Sequence, residues 1–263
     1  MVLSKLRWRA VVLVIGLVLV SGIMSTARAD GPSQQARRVI TSSGVRGGLV
    51  VHVGCGDGRM TAALRASNAY LVHGLDSNES DVAEAREYLR SRELYGDVTV
   101  EHWDGGALPY VDNLVNLLVI GQDEDVSRSE VKRIMAPKGV VYARRNGTWQ
   151  KWVKSWPDEI DEWTHYLHDP SNNAVSNDSR VGPPRHMQWR GGPLWCRYHH
   201  TLASISSVVS SDGRLFYIAD LATPASIQIS ADWHVMARDA FNGKQLWDRE
   251  LPSWAFHRTR FRS

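Results

Sequence analysis

An apolar run, Leu49-Val50-Val51-His52-Val53, drops straight into Gly54-Cys55-Gly56-Asp57-Gly58, and a helix-forming stretch follows. A short apolar run closed by glycines reads as a strand buried on both faces. The glycines let the turn take left-handed angles and let a ligand approach the backbone. Strand, glycine turn and helix start together make the shape that cradles a nucleotide cofactor. The spacing narrows the choice. The dinucleotide fingerprint G-x-G-x-x-G requires glycine at position 59, and Arg59 stands there. The glycines fall instead at Gly54, Gly56 and Gly58.

From residue 30 to about 147 the pattern alternates between strands and helices. Strands are expected at 49–53, 70–75, 98–102, 115–120 and 139–143, and helices at 58–67, 79–94 and 127–135. The stretch 31–48 reads as a polar lead. Val82, Ala85, Tyr88 and Leu89 form one apolar stripe on the second helix, with Glu and Arg on its other face. Such alternation implies an α/β, Rossmann-like doubly wound sheet.

Four features in order then resemble class I S-adenosylmethionine-dependent methyltransferases. They are the G-x-G-x-G turn, Asp76 closing the "VHGLD" strand, Asp104 in "EHWDGGALPY", and the "VKRIMAPKGVVYAR" turn around Pro137-Lys138-Gly139. The resemblance implies S-adenosylmethionine as cofactor. It places Gly54, Cys55, Gly56 and Gly58 against the ligand, Asp76 on the ribose hydroxyls and Asp104 on the adenine amino group. Two positions depart from the family. His52 stands where an acidic residue commonly helps hold the methionine end, and Ile120 to Asp125 carries no acceptor motif. His102 and Tyr110 are the candidates for a catalytic base. His52 also fits a buried structural histidine, Cys55 a packing residue, and Asp123-Glu124-Asp125 a solvated loop.

The second half differs in kind. Of eleven Trp, all but Trp8 and Trp103 lie beyond residue 148. Residues 148–200 read as an extended connector pinned by Trp. His165, His168 and Asp169 have no helix to place them on one face, and His199-His200 is equally weak as a metal site. With no Cys/His ligand spacing, no metal is expected. A disulfide between Cys55 and Cys196 is not expected either.

From 201 to 263 the pattern is all-β. Runs 205–209 and 214–219 flank Ser210-Ser211-Asp212-Gly213, and runs 235–237 and 245–251 flank Asn242-Gly243-Lys244. Asp-Gly and Asn-Gly between strands signal hairpins. Four strands make about one propeller blade. Ala237 to Trp247 resembles the repeat of PQQ-like, quinoprotein-type β-propellers, with Asn242 in place of Thr. In those repeats the Trp packs between blades. One blade cannot bury both of its faces, so the chain is expected to be a fragment of a longer propeller. The resemblance alone does not support a quinone cofactor in this segment.

Residues 1–29 read as a signal peptide: Lys5, Arg7 and Arg9, an apolar run, and Ala27-Arg28-Ala29 before Asp30. The mature protein is then exported, to periplasm or cell envelope, with membrane association only if that segment is retained. A net charge of +3 with scattered Lys and Arg excludes a nucleic-acid partner. The whole order resembles the start of large exported proteins of planctomycete-type bacteria. Three readings follow. One is an exported S-adenosylmethionine-dependent methyltransferase-like protein fused to a PQQ-like repeat, acting on an unnamed acceptor. The alternative is a non-catalytic exported binding or scaffold protein with an unknown partner, or a fragment of a quinoprotein oxidoreductase.

Overall fold

The computed structural model describes residues 31–121, 124–180, 182, 187–192, 204–223 and 230–252. The leader 1–29, Asp123, Cys196, His199 and His200 lie outside the described residues.

The first half forms one six-stranded sheet. Its strands are β1 (Gly48–Val53), β2 (Tyr70–Asp76), β3 (Val98–His102), β4 (Val115–Ile120), β5 (Met135–Arg145) and β6 (Thr148–Val153). They lie in the order β3-β2-β1-β4-β5-β6. All pairs are parallel except β5 with β6, which is an antiparallel hairpin. The strand order reverses beside β1, with β2 on one side and β4 on the other. The connections therefore cross on opposite faces. This is the doubly wound, Rossmann-like arrangement, and its crevice opens at the carboxyl ends of β1 and β4.

Helices α1 (Pro32–Ser43), α2 (Arg59–Leu64) and α3 (Glu79–Ser91) cover one face. Ala36, Val39, Leu64, Val82, Ala85 and Leu89 pack there on Val50, Val72, Val98 and Leu117. The other face carries α4 (Arg128–Ile134), with Ile134 against Val51, Val53, Leu75 and Leu118. Every residue of β1 is buried, as a strand covered on both faces requires.

Between β3 and β4 there is no helix. An irregular segment crosses the second face instead and sends Trp103 and Leu108 into its core. Arg133 of α4 ties this segment down. Its guanidinium donates to the Leu108 carbonyl at 3.0 Å, the Tyr110 carbonyl at 2.5 Å and the Asp112 carboxylate at 3.2 Å. Glu130 completes the clasp by accepting the Leu108 N–H at 2.9 Å and the Arg133 Nη2 at 2.8 Å. An Arg133→Ala variant is expected to lose hydrogen-exchange protection at Leu108 while β1 and β4 keep theirs. Unchanged protection at Leu108 counts against the clasp.

Three expectations are corrected. The lead 31–48 is not a plain polar approach, because α1 occupies most of it. Pro32 opens the helix, Gly44 closes it at φ 76, and its narrow buried stripe is Ala36, Val39 and Ser43. The sheet does not end at residue 147, since β6 pairs along β5 from Arg145↔Thr148 to Val140↔Val153. The turn at Pro137-Lys138-Gly139 lies within β5 rather than between helix and strand. Lys138 takes φ 63 there, beside a register shift between Val115 and Leu117.

A separate antiparallel sheet holds β7 (Ile205–Ser211), β8 (Arg214–Asp220), β9 (Trp233–Asp239) and β10 (Gln245–Glu250), in the order β10-β9-β8-β7. Trp156 packs edge-on against Phe241, and the Trp189 indole donates to the Ala240 carbonyl at 3.0 Å. Trp247 is 41% exposed and meets Phe216.

This sheet docks on the amino ends of β1, β4 and β5, opposite the crevice. Asn116 of β4 is the centre of the seam. Its amide donates to Asp239 at 2.6 Å, and its oxygen accepts from the Asn242 side chain at 2.6 Å and the Leu49 N–H at 2.8 Å. Asn242 also donates to the Leu114 carbonyl at 2.9 Å. Lys138 reaches Asp212 and lies 4.9 Å from the Trp156 ring centre. A cavity of about 210 Å³ lined by Arg46, Lys138, Asp212 and Arg214 lies in the seam. Among the described residues no helix is long and apolar enough to cross a membrane.

Candidate functional site

The carboxyl ends of β1, β2 and β4 bring three pieces of chain together. The first is the turn after β1. Gly54, Gly56 and Gly58 take φ of 75, 51 and 75, all left-handed. Gly58 also lets α3 come close, because a Cβ there would lie 2.8 Å from the Cβ of Ala85. On the Gly56 side nothing stands within 4 Å of a Cβ position, so that side is open.

The second piece is Asp76, the last residue of β2, buried at 6% exposure. Its Oδ2 accepts the Gly56 N–H at 2.7 Å, and its Oδ1 accepts the Asn78 N–H at 3.0 Å. The carboxylate thus shapes the glycine turn directly. Each oxygen has capacity for a further hydrogen bond, which a ribose hydroxyl can use.

The third piece is Glu124, after β4. Its Cγ and Oε1 lie 2.7 and 2.9 Å from where a Gly54 Cβ would be. The expectation of a solvated Asp123-Glu124-Asp125 loop is corrected here. Asp125 is exposed, but Glu124 is half-buried against the first glycine. No periodicity marks this residue in the sequence. The only available signal was an acidic residue shortly after the central strand of a switch-point fold.

Cys55 sits inside this ring. Burial, then the charges of Asp76, Asp81 and Glu124, push its thiol up to about 12. It packs against Gly74, whose Cβ position is 3.1 Å from the Cys55 sulfur. It is a packing thiol and not a nucleophile. Asp104 lies just past β3 and is exposed, with its Oδ1 accepting the Gly106 N–H at 3.4 Å.

The two base candidates are occupied elsewhere. The His102 ring bonds the Ser77 carbonyl at 3.1 Å. The Tyr110 hydroxyl bonds the His73 ring at 2.7 Å, and burial raises its pKa. His73 lies three residues before Asp76 on β2, about 10 Å along the strand. His168 is a buried structural residue, with Nε2 2.7 Å from Asp161 and Nδ1 3.5 Å from Asp169. Its neighbour His165 bonds Thr164. Among the described residues no group of three or more His, Cys, Asp or Glu is arranged to hold a metal ion.

His52 is buried against Thr61 of α2. Its Nδ1 is 2.8 Å from the Thr61 hydroxyl, and burial pushes it down to about 4 against the opposing pull of Asp76. The folded protein therefore holds His52 neutral, while the unfolded chain protonates it near 6.5. Stability from this residue is full above pH 6.5 and is lost as pH falls toward about 4. Urea unfolding at pH 7 and pH 4.5 is expected to differ by about 2 kcal/mol more in the wild type than in His52→Gln. Equal pH dependence in the two proteins would remove His52 as the cause.

The fold and the glycine turn define a Rossmann-like domain with its ligand crevice at the end of β1. Residues 50–139 match the family model of the methyltransferase domain. It is this segment that is methyltransferase-like. A comparison with curated proteins gave no match. Among solved structures, one assigned as an S-adenosyl-L-methionine-dependent methyltransferase of Methanococcus maripaludis is 23% identical. Its TM-score is 0.40, with 44% of this chain and 56% of that one covered. A SAM-dependent methyltransferase of Aquifex aeolicus is 21% identical, with TM-score 0.38 and coverages of 41% and 62%. A geranyl diphosphate C-methyltransferase of Streptomyces coelicolor A3(2) is 17% identical, with TM-score 0.39 and coverages of 42% and 44%. The chain thus spans between 44% and 62% of the length of these structures.

Proposed function

We propose that the crevice binds S-adenosylmethionine and that the chain is a methyltransferase-like protein. The observation that carries this reading is the charge around the glycine turn. Asp76 and Glu124 face it from two sides, and Asp81 adds to the negative field. A pyrophosphate held there would be repelled, whereas a sulfonium and an ammonium are attracted. The match over 50–139 supports the same choice.

When bound, S-adenosylmethionine supplies a methyl group on a positively charged sulfur, open to attack by a nucleophilic acceptor. The residues of the chain act by binding. In this reading Asp76 accepts the ribose hydroxyls, the glycine backbone allows close approach, and Asp104 takes the adenine amino group. With His102 and Tyr110 engaged elsewhere, positioning of donor and acceptor is the main contribution available to the protein.

The second sheet supports a PQQ-like blade as the finer reading. Ala237, Asp239, Ala240, Gly243, Lys244 and Trp247 stand in the repeat's register. Asp239 accepts the Phe241 and Asn242 N–H groups at 2.9 and 3.0 Å, and Gly243 takes φ 73. Residues 1–29 as an export signal complete the proposal and place the protein in the periplasm or cell envelope.

A second reading, a binding scaffold without catalysis, is favoured by one observation. Part of the turn is taken up by its own chain, since Asp76 accepts the Gly56 and Asn78 N–H groups and Glu124 covers Gly54. Calorimetric titration of the full chain with S-adenosylhomocysteine and with NAD separates the two. Micromolar binding of the first and none of the second is expected. A folded chain that binds neither makes the scaffold reading primary.

A further inference from the structure

We propose that the seam between the two sheets is a binding site for a small oxyanion of the phosphate type, gripped by Arg46, Lys138 and Arg214. The site stands opposite the crevice and does not depend on the adenosyl reading.

Three cations from distant parts of the chain meet there. Arg46 follows α1, Lys138 lies in β5 and Arg214 opens β8, and all three line the cavity of about 210 Å³. Like charges brought together repel, so their meeting calls for a counter-charge. Asp212 supplies part of it. It bonds the Lys138 ammonium, and its Oδ2 lies 3.5 Å from Arg214 Nη1. The Lys138 ammonium also holds the Asp212 carboxyl below the usual range, so it is ionised and shared between two cations. Asp239, the other carboxylate on the cavity wall, is spent on the Phe241 and Asn242 N–H groups and the Asn116 amide. Glu162 accepts the Asp212 N–H and does not line the cavity. Arg46 has no carboxylate partner among the described residues, and its charge is felt at the Tyr70 hydroxyl. The positive excess left over is what an oxyanion would cancel.

The backbone fixes Lys138 at this place. It takes φ 63, a left-handed angle uncommon outside glycine. Its N–H donates to the Lys154 carbonyl at 2.9 Å, and the Lys154 N–H donates to the Gly139 carbonyl at 2.9 Å. Residues held at such angles cluster at ligand sites, where the surroundings over-determine them. The cations are also reachable, since the Lys138 and Arg214 side chains are 51% and 39% exposed.

Size selects the ligand. Drug-sized molecules occupy about 300–1,000 Å³, so this cavity takes something smaller. At about 30 Å³ for each water, it has room for a phosphate group with several waters. Two guanidinium groups offer paired N–H donors to such an oxyanion, and the ammonium adds a point charge.

The test is calorimetry on the full chain with inorganic phosphate and with glycerol phosphate, against chloride at equal ionic strength. The wild type is expected to bind phosphate saturably, at millimolar concentration or below, and chloride not at all. Tighter binding of glycerol phosphate supports the site as one for a phosphorylated small molecule. Tighter binding of inorganic phosphate supports it as one for the ion itself. Arg46→Ala removes a side chain with no ion pair to lose, so its melting curve should match the wild type. Its affinity for phosphate is expected to fall by about tenfold or more, as loss of a charge-assisted hydrogen bond does. Arg46→Lys, which keeps the charge without the paired donors, is expected to fall between. A folded wild type that binds neither phosphate overturns the proposal. So does chloride binding of equal strength, and so does an Arg46→Ala chain with wild-type affinity.

Discussion

An Asp76→Ala chain is expected to bind S-adenosylhomocysteine at least about a hundredfold more weakly than the wild type. Two losses add. The carboxylate proposed to accept the ribose hydroxyls is gone, at a site where each charged hydrogen bond is worth about 1.5–3 kcal/mol. The Gly56 and Asn78 N–H groups also lose their acceptor, so the turn is no longer held in its binding shape. Asp76→Asn keeps an oxygen for one of these donors but no charge, and its affinity should lie between. Calorimetry reads the affinity, and a melting curve reads the folding cost. An Asp76→Ala chain that binds as well as the wild type would remove this residue, and with it the crevice, from the ligand's path.

The seam between the sheets should be the costliest place to cut polar contacts. Asp239 is buried, and its burial raises its pKa even though it accepts from Phe241, Asn242 and Asn116. Removing it leaves three donors without their acceptor. Asp239→Ala is expected to cost about 2–4 kcal/mol in urea unfolding, with Asn116→Ala similar. Because the two share a bond, the double variant should cost less than the sum of the singles. Strict additivity would show that the contact carries no coupling. Hydrogen exchange should rise at Leu49, whose N–H also ends on Asn116.

Much of the first sheet could be read from its residues because burial on two faces leaves a plain trace. The apolar runs at 49–53 and 115–120 became β1 and β4 nearly to the residue. The glycine spacing located the crevice, and Asp76 fell at its edge. What escaped has physical reasons. Helix α1 buries only a thin stripe, so its sequence looks like a polar lead. Strand β6 is an edge strand whose side chains are mostly exposed, and alternation has little to mark it. Glu124 reaches Gly54 across the sheet, a contact between chain segments that no local pattern encodes. Asn116 did leave a sign, since it is the one polar residue inside Val115–Ile120. The hairpin turn at Asn242-Gly243 was legible from its dipeptide. The use of the Asn242 amide on Leu114 and Asn116 was not, because it joins segments far apart in the chain.

Asn116 also bears on how separable the two parts are. Its oxygen holds the first turn of the central strand in register, while its amide is spent on the other sheet. Gly48 exists in a form only glycine tolerates, with a Cβ position 1.9 Å from that same oxygen. The two parts therefore share a joint that lies inside one of them. Expression of the first part alone would leave a polar socket at the foot of its own central strand. A recombinant boundary placed after Val153 needs a redesigned residue at 116, and a shuffled partner needs an Asn-Gly turn to fill the socket.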